Sequence, residues 1–189
     1  NHQSAWETFF LGSLFPGSIF ILKYELKKIP IFSQYFKKLG FIFVKRDKAF
    51  DSLKILLKSV RKLISQNNNI FVIFPEGTTS DGNRVLDFKS SSFSSVEGKN
   101  FIIQPIVIVY SDLNGIPINR WLRPIIAWYG DMDLKPHLSS LAHLRSIKAR
   151  LIYLDKVNAK NFSSRKDLSK YLENQIKKVY ASALSKKLT

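Results

Sequence analysis

The sequence predicts a single α/β domain with a mixed, mostly buried sheet flanked by helices, and three observations carry that prediction. Short apolar runs rich in Ile, Val and Phe alternate along the chain with segments of helical periodicity, the order expected of a layered α/β domain. A length of 189 residues suits one domain. Hydrophobic residues make up 45% of the chain and are spread along it, which supplies a core and excludes a disordered polypeptide.

Each element has its own local signal. Ser4 to Leu14 reads as a helix, with Ser4 as N-cap and Glu7 three residues on at capping-box spacing. Leu14-Phe15-Pro16-Gly17 is a turn, and Ser18 to Tyr24 a strand. Pro30 opens a short amphipathic helix that runs to Lys38 and stops at Gly40 in the C′ position. Phe41 to Lys45 is a strand and Ala49 to Ser65 a helix, where Leu53, Leu56, Leu57, Val60 and Ile64 recur at helical spacing opposite Lys54, Lys58, Arg61 and Lys62. Ile70 to Phe74 is apolar throughout, so both faces of this strand are expected to be covered. A polar loop rich in Gly and Ser follows, from Pro75 to about Ser92. Phe101 to Tyr110 is a buried strand in which Pro105 implies a bulge or an early end to pairing. Pro124 to Trp128 and Ser146 to Leu154 are expected as strands, with a short helix near Ser139 between them. Ser164 to about Lys187 closes the chain as a Lys-rich helix.

Composition excludes several classes of function. With no cysteine there is no disulfide framework, no thiolate nucleophile and no Cys-based metal site. His2, His137 and His143 are the three histidines, too few for a His-rich metal cluster, and no metal is expected. No run of 18 apolar residues predicts a conventional membrane-spanning helix; the longest greasy stretch, Phe9 to Leu22, is broken by Gly12, Pro16 and Gly17. The sequence opens at Asn1 rather than Met, so an upstream segment, of the kind that anchors to a membrane, is expected to precede it. Thirty Lys and Arg against fourteen Asp and Glu give a net charge of +16, which calls for an anionic partner.

Two motifs hold the chemistry. In Asn1-His2-Gln3-Ser4-Ala5-Trp6-Glu7 the His and the carboxylate are five residues apart, roughly 140° on an ideal helix, so both cannot point the same way from one. They meet if His2 precedes the helix and Glu7 sits in its first turn. A carboxylate on one ring nitrogen fixes the tautomer and leaves the other nitrogen as general base toward a hydroxyl; a capping box with an incidental His is the alternative. The second motif, Phe74-Pro75-Glu76-Gly77-Thr78-Thr79-Ser80-Asp81-Gly82, directly follows an apolar strand, where open α/β sheets place ligands. Its small residues free N–H groups and hydroxyls for a phosphate or an oxyanion. Spacing alone leaves a polar turn with a structural Glu76 equally open.

Together the motifs resemble those of the glycerolipid acyltransferase family, the lysophosphatidic acid acyltransferases. That family carries Asn-His-x4-Asp, an apolar strand ending in Arg, Phe-Pro-Glu-Gly-Thr, and an apolar strand containing Pro. Here these fall in order on Asn1 to Glu7, Gly40 to Asp47, Phe74 to Ser80 and Ile102 to Tyr110. The resemblance implies a glycerol-3-phosphate acyltransferase-like fold. It further implies that His2 deprotonates an acceptor hydroxyl, which attacks the thioester of acyl-CoA or acyl carrier protein without a covalent acyl-enzyme. Glu7 would orient His2; Arg46, helped by Lys45, would bind the acceptor's phosphate; and Glu76, Gly77, Thr78, Thr79 and Ser80 would shape the acceptor site. No cofactor beyond the acyl co-substrate is implied.

Two positions depart from the family pattern. Glu7 stands for the usual Asp, and one extra methylene moves a carboxylate by about 1.5 Å unless the backbone adjusts. A reshaped turn is expected, and a catalytically silent lipid-binding relative is the alternative. Thr79 stands where many lysophosphatidic acid enzymes have Arg; Arg84 and Lys89, in the same loop, are candidates to replace that cation. The Glu-Gly-Thr-Thr-Ser-Asp-Gly loop and the later Trp128 to Asp133 segment also resemble bacterial relatives that acylate lyso-ornithine lipid. The leading expectation is therefore acylation of lysophosphatidic acid to phosphatidic acid, with lyso-ornithine lipid as the alternative acceptor.

The partners expected are a lysolipid acceptor, an acyl donor and an anionic membrane surface, at the cytoplasmic face of a bacterial inner membrane. Phe9, Phe10, Leu11, Leu14 and Phe15, together with Ile31, Phe32, Tyr35 and Phe36 flanked by Lys27-Lys28 and Lys37-Lys38, suit shallow insertion among anionic lipids. No nucleic-acid motif accompanies the dispersed Lys, and no nucleic acid is expected. His137, His143, Asp131 and Asp133 are left outside the site.

Overall fold

The structure is a computed structural model that describes residues 1–23, 34, 42–44 and 70–185. It divides into two compact units, one of Asn1–Glu7 with Phe74–Thr189 and the other of Thr8–Ile73. The first helix, α1 (Trp6–Leu14), starts in one and continues into the other.

In the Thr8–Ile73 unit, β1 (Ile19–Lys23), β2 (Ile42–Val44) and β3 (Phe71–Val72) form a parallel sheet in the order β2-β1-β3. Ile21 faces Ile42, and Ile19 faces Phe71. The expected turn between α1 and β1 is present: the Ser18 N–H donates to the Phe15 carbonyl at 3.1 Å, and Gly17 takes φ +79°, a conformation that favours glycine. Phe20 is fully buried. The expectation that Ile70 to Phe74 has both faces covered is not met. The strand is only two residues long, it pairs with β1 alone among the described residues, and Ile70, ahead of the ladder, is 51% exposed. The helices expected at Pro30 to Lys38 and Ala49 to Ser65 lie outside the described residues, Gln34 excepted.

The other unit holds two antiparallel sheets. Pro105 divides the apolar run into β4 (Ile102–Ile103) and β5 (Ile106–Leu113). The two turn to different partners: β4 pairs with β8 (Val157–Asn158), and β5 pairs with β7 (Ile147–Tyr153) and β6 (Ile116–Pro117). Proline has no N–H to give a ladder, which accounts for the break at this residue, while its carbonyl accepts from Leu154 N–H at 3.1 Å. Asn114 and Gly115 join β5 to β6 with φ of +55° and +86°, the pair of positive angles that an Asn-Gly hairpin turn requires.

The strand expected from Pro124 to Trp128 is instead a short helix, α2 (Arg123–Ile126), followed by extended chain. Its cause is local. The Asn119 side chain accepts the N–H groups of Trp121 and Leu122, the Asn119 carbonyl accepts that of Arg123, and Pro124 sits in the first turn, where its fixed φ favours a helix. Helix α3 (Leu134–Ala142) contains the expected Ser139. The closing helix, α4 (Arg165–Ser185), buries Leu168, Leu172, Ile176, Tyr180 and Ala183 along one stripe. Ile176, Tyr180 and Ala183 form one core with Val107 and Val109 of β5 and with Val85 from the loop after Phe74. The stripe thus fixes that loop against the central strand of its sheet. Tyr180 completes the attachment by donating its hydroxyl to the Gly82 carbonyl.

Candidate active site

Asn1 to Ser4 run as non-helical chain along β5 before α1 begins. The Asn1 carboxamide pairs with Ile108 like a piece of strand, donating to its carbonyl at 2.9 Å and accepting its N–H at 2.7 Å. The Gln3 side chain donates to the same carbonyl at 3.0 Å, and the Gln3 carbonyl accepts from Trp128 N–H at 2.9 Å. His2 is therefore held from both sides by its neighbours.

Of the capping box expected at Ser4 and Glu7 the carboxylate half is formed, and it is also what delivers Glu7 to His2. Ser4 Oγ accepts from Trp6 N–H at 3.4 Å, and the Glu7 carboxylate reaches back to Ser4 N–H at 3.2 Å and Gln3 N–H at 3.1 Å. The same carboxylate meets His2 Nδ1 at 2.6 Å. The longer side chain at this position thus makes the contact by folding back over the first turn. Glu7 has no solvent exposure, whereas the His2 side chain keeps 18%. The Tyr110 hydroxyl adds a fourth donor to Glu7 at 3.3 Å. Burial, reinforced by the Glu7 carboxylate, pushes the Tyr110 phenol well above its ordinary pKa, so it stays protonated and donates. An ionised carboxylate only accepts, so Nδ1 carries the ring proton and the Nε2 lone pair becomes the basic atom. The His2 ring stacks on Phe74 at 4.0 Å between centroids, which sets its plane.

The second motif is built onto the first. The Glu76 carboxylate, 2% exposed, accepts the His2 N–H and the Leu86 N–H, each at 2.6 Å. Burial pushes the Glu76 carboxyl above its ordinary pKa, and these two N–H groups act against that rise. Ser80 N–H donates to the His2 carbonyl at 3.0 Å, so both backbone groups of His2 are held by the loop. Gly77 takes φ +68° with the Lys89 side chain lying across it.

The structure therefore brings His2, Glu7, Glu76, Gly77, Thr78, Thr79 and Ser80 into one assembly. Thr79 and Ser80 are buried; the Thr79 hydroxyl donates to the Trp128 carbonyl, and Ser80 Oγ accepts from Gly82 N–H at 3.2 Å. Gly77 and Thr78 remain partly accessible. Lys45 and Arg46 lie outside the described residues. Of the two candidate replacement cations, Lys89 lies over the loop at Gly77, while Arg84 is exposed and acts electrostatically on Asp87. His137 is buried in α3, where burial lowers its pKa, and His143 Nδ1 is 2.7 Å from the Ser139 carbonyl oxygen.

Asn1, Gln3 and Tyr110 support the pair, and sequence reasoning assigned them no part. Asn1 and Tyr110 carried a signal, standing at the start of the His motif and the end of the Pro-containing strand. Gln3 carried none.

The first 109 residues match the family model described as Acyltransferase. The chain is 31% identical over 97% of its length to the lyso-ornithine lipid O-acyltransferase of Rhizobium meliloti (strain 1021), spanning 64% of that protein. It is 30% identical to the enzyme of the same name from Brucella abortus (strain 2308), over 97% of this chain and 70% of that one. The 1-acyl-sn-glycerol-3-phosphate acyltransferase of Neisseria meningitidis is 26% identical, over 96% and 68%. Among solved structures, the 1-acyl-sn-glycerophosphate (LPA) acyltransferase PlsC of Thermotoga maritima superposes with a TM-score of 0.66 at 25% identity, covering all of this chain and 66% of that one. A family match over more than half the chain, agreeing in fold and in the motifs that form the His2–Glu7 pair, places this chain in the acyltransferase family.

Proposed function

We propose that this protein is a membrane-surface O-acyltransferase that moves a fatty acyl group from acyl-CoA or acyl carrier protein onto the hydroxyl of lysophosphatidic acid, giving phosphatidic acid. The observation that carries this reading is the 2.6 Å contact between His2 Nδ1 and a carboxylate with no solvent exposure. His2 Nε2 takes the proton of the acceptor hydroxyl as its oxygen attacks the thioester carbonyl. The tetrahedral adduct collapses, the C–S bond breaks, and the imidazolium returns its proton to the leaving thiolate. Glu7 stabilises the imidazolium and keeps its ring oriented. Arg46 and Lys45 are the proposed anchors for the acceptor's phosphate, and no cofactor beyond the acyl co-substrate is needed. The cytoplasmic face of a bacterial inner membrane is the proposed location, where the donor and the lysolipid meet.

Lyso-ornithine lipid is the second reading, because the Thr79 hydroxyl is turned onto the Trp128 carbonyl at a place where a phosphate acceptor is expected to meet a cation. The relatives matched over 97% of this chain also bear that activity in their names. Labelled acyl-CoA and acyl carrier protein, supplied with each acceptor alongside a His2→Ala control, decide the matter. His2-dependent phosphatidic acid supports the leading reading. Product from lyso-ornithine lipid alone keeps the mechanism and changes the acceptor. No His2-dependent product from folded protein removes both and leaves a silent lipid-binding relative.

A further inference from the structure

From Asn114 to Gly130 the chain has no acidic side chain, and it carries Arg120 and Arg123. Within this stretch Ile116 is 59% exposed, Trp121 76% and Ile125 44%. Local devices build this display. Ile116 follows the Asn114-Gly115 turn, Trp121 is held by its N–H bond to Asn119 Oδ1 at 2.9 Å, and Ile125 rides on the proline-started α2. The Arg120 guanidinium lies 5.0 Å from the Trp121 ring centroid, an indole–guanidinium pair with an apolar body and a charged rim. Among the described residues Arg120 forms no ion pair with a carboxylate, while Arg123 is turned to the protein, its Nη1 donating to Asn83 Oδ1 at 3.0 Å and its Nε buried. Both line an open groove of about 540 Å³, together with Ile118 and Leu184.

Three large apolar side chains in water beside an exposed arginine, in a stretch without acidic residues, fit one kind of surface well. Nucleic acid answers the arginine and the indole but offers nothing to Ile116 and Ile125. A bilayer with anionic headgroups answers all of them: Trp and Arg suit the headgroup level, and the aliphatic side chains reach the start of the acyl region. We propose that the Ile116–Ile125 surface docks on an anionic lipid bilayer, Trp121, Ile116 and Ile125 entering the headgroup boundary and Arg120 meeting the headgroup charges. The proposal deepens the membrane-surface part of the proposed function and requires nothing of the His2 chemistry.

The test is co-sedimentation with phosphatidylcholine vesicles, with and without one third phosphatidylglycerol. Wild-type protein is expected to bind the anionic vesicles and to be released by salt. Arg120→Ala is expected to weaken partitioning about fivefold, the effect of one cation at such a surface. Trp121→Ala combined with Ile125→Ser is expected to weaken it at least about tenfold. A brominated acyl chain should quench wild-type fluorescence more than that of Trp121→Phe, a readout that needs no loss of binding. Unchanged binding in all variants, or equal quenching in wild type and Trp121→Phe, overturns the proposal. So does a self-association of the chain that Trp121→Ala abolishes, which would assign the face to a second copy. Anionic-vesicle binding lost in Trp121→Ala but kept in His2→Ala supports docking whether or not turnover is found. His2-dependent turnover with unaltered vesicle binding in the Trp121 and Arg120 variants overturns docking and leaves the acyltransferase reading standing.

Discussion

Replacing Glu7 by Asp, the residue usual in the family motif, is expected to impair this protein. Glu7 reaches His2 Nδ1 at 2.6 Å only because its full length folds back over the first turn of α1. Removing one methylene retracts the carboxylate by about 1.5 Å, which opens the contact to roughly 4 Å, beyond hydrogen-bond range. His2 cannot follow, because its N–H is held by Glu76, its carbonyl by Ser80, and its neighbours Asn1 and Gln3 by Ile108. The bonds to Gln3 N–H and Ser4 N–H weaken as well, costing about 1 kcal/mol of cap stability and lowering Tm by roughly 2–4 °C. A displacement of this size is expected to reduce kcat on the order of 100-fold with little change in the acyl donor's KM. Glu7→Gln, which keeps the length and loses the charge, should be worse still in kcat. Steady-state kinetics with labelled acyl donor and thermal melts of both variants supply the readout. Wild-type turnover and Tm in Glu7→Asp would refute the claim that this turn is built for the longer side chain.

Three further outcomes follow from the same geometry. Glu76→Gln sets an amide NH₂ against a backbone N–H that now meets carboxylate, so chemical denaturation should show a loss of about 2–3 kcal/mol, and hydrogen exchange at Leu86 should accelerate. Gly77→Ala meets the Lys89 side chain at 3.0 Å, which a flexible Lys relieves; the left-handed φ remains and should cost about 1 kcal/mol in a denaturant titration. Lys177 donates to Asp87 at 2.6 Å and to Glu173 at 2.8 Å. This holds Asp87 below its ordinary pKa; for Glu173, burial pulls upward, but Lys177 and the Phe88 N–H outweigh it and the net shift is down. Both carboxylates stabilise the fold above about pH 4.3, and the contribution is lost as pH falls through their lowered folded values. The Asp87 and Glu173 contacts raise Lys177, whose contribution is full below about pH 10.4 and lost as pH rises past its folded value. Melts of Lys177→Met should show a Tm lower by roughly 2 °C at neutral pH and a flatter decline on acidification.

Much of this was legible in the residues. The stripe of α4 declares itself through local periodicity, and Pro105 announces the change of partner between β4 and β5. Spacing alone leaves the His2–Glu7 pair open against a capping box with an incidental His, and the family resemblance favours the pair; the back-folding of Glu7 that joins them is local to the first turn of α1. Glu76 was legible as a motif member but not as a clamp, since its partners are 74 and 10 residues away and no local pattern encodes them. In the sequence Thr79 and Ser80 read as groups facing an acceptor, yet their hydroxyls are engaged inside the protein, a choice set by where Trp128 and Gly82 come to lie. The α2 segment misleads in the other direction: its apolar run suggests a strand, while the turn closed by Asn119, and Pro124 in the first helical turn, decide for a helix.

The pairing of Asn1 with Ile108 has a consequence beyond catalysis. The N–H and carbonyl of Ile108 lie on the side of β5 away from β7, where an unpaired strand invites another chain to zip onto it. A carboxamide fastened across both groups closes that opening in the way a peptide unit would, without continuing the ladder to a further neighbour. The same short segment that aims His2 therefore also works as a stopper against intermolecular β-sheet growth, so weakening it would lower solubility as well as turnover.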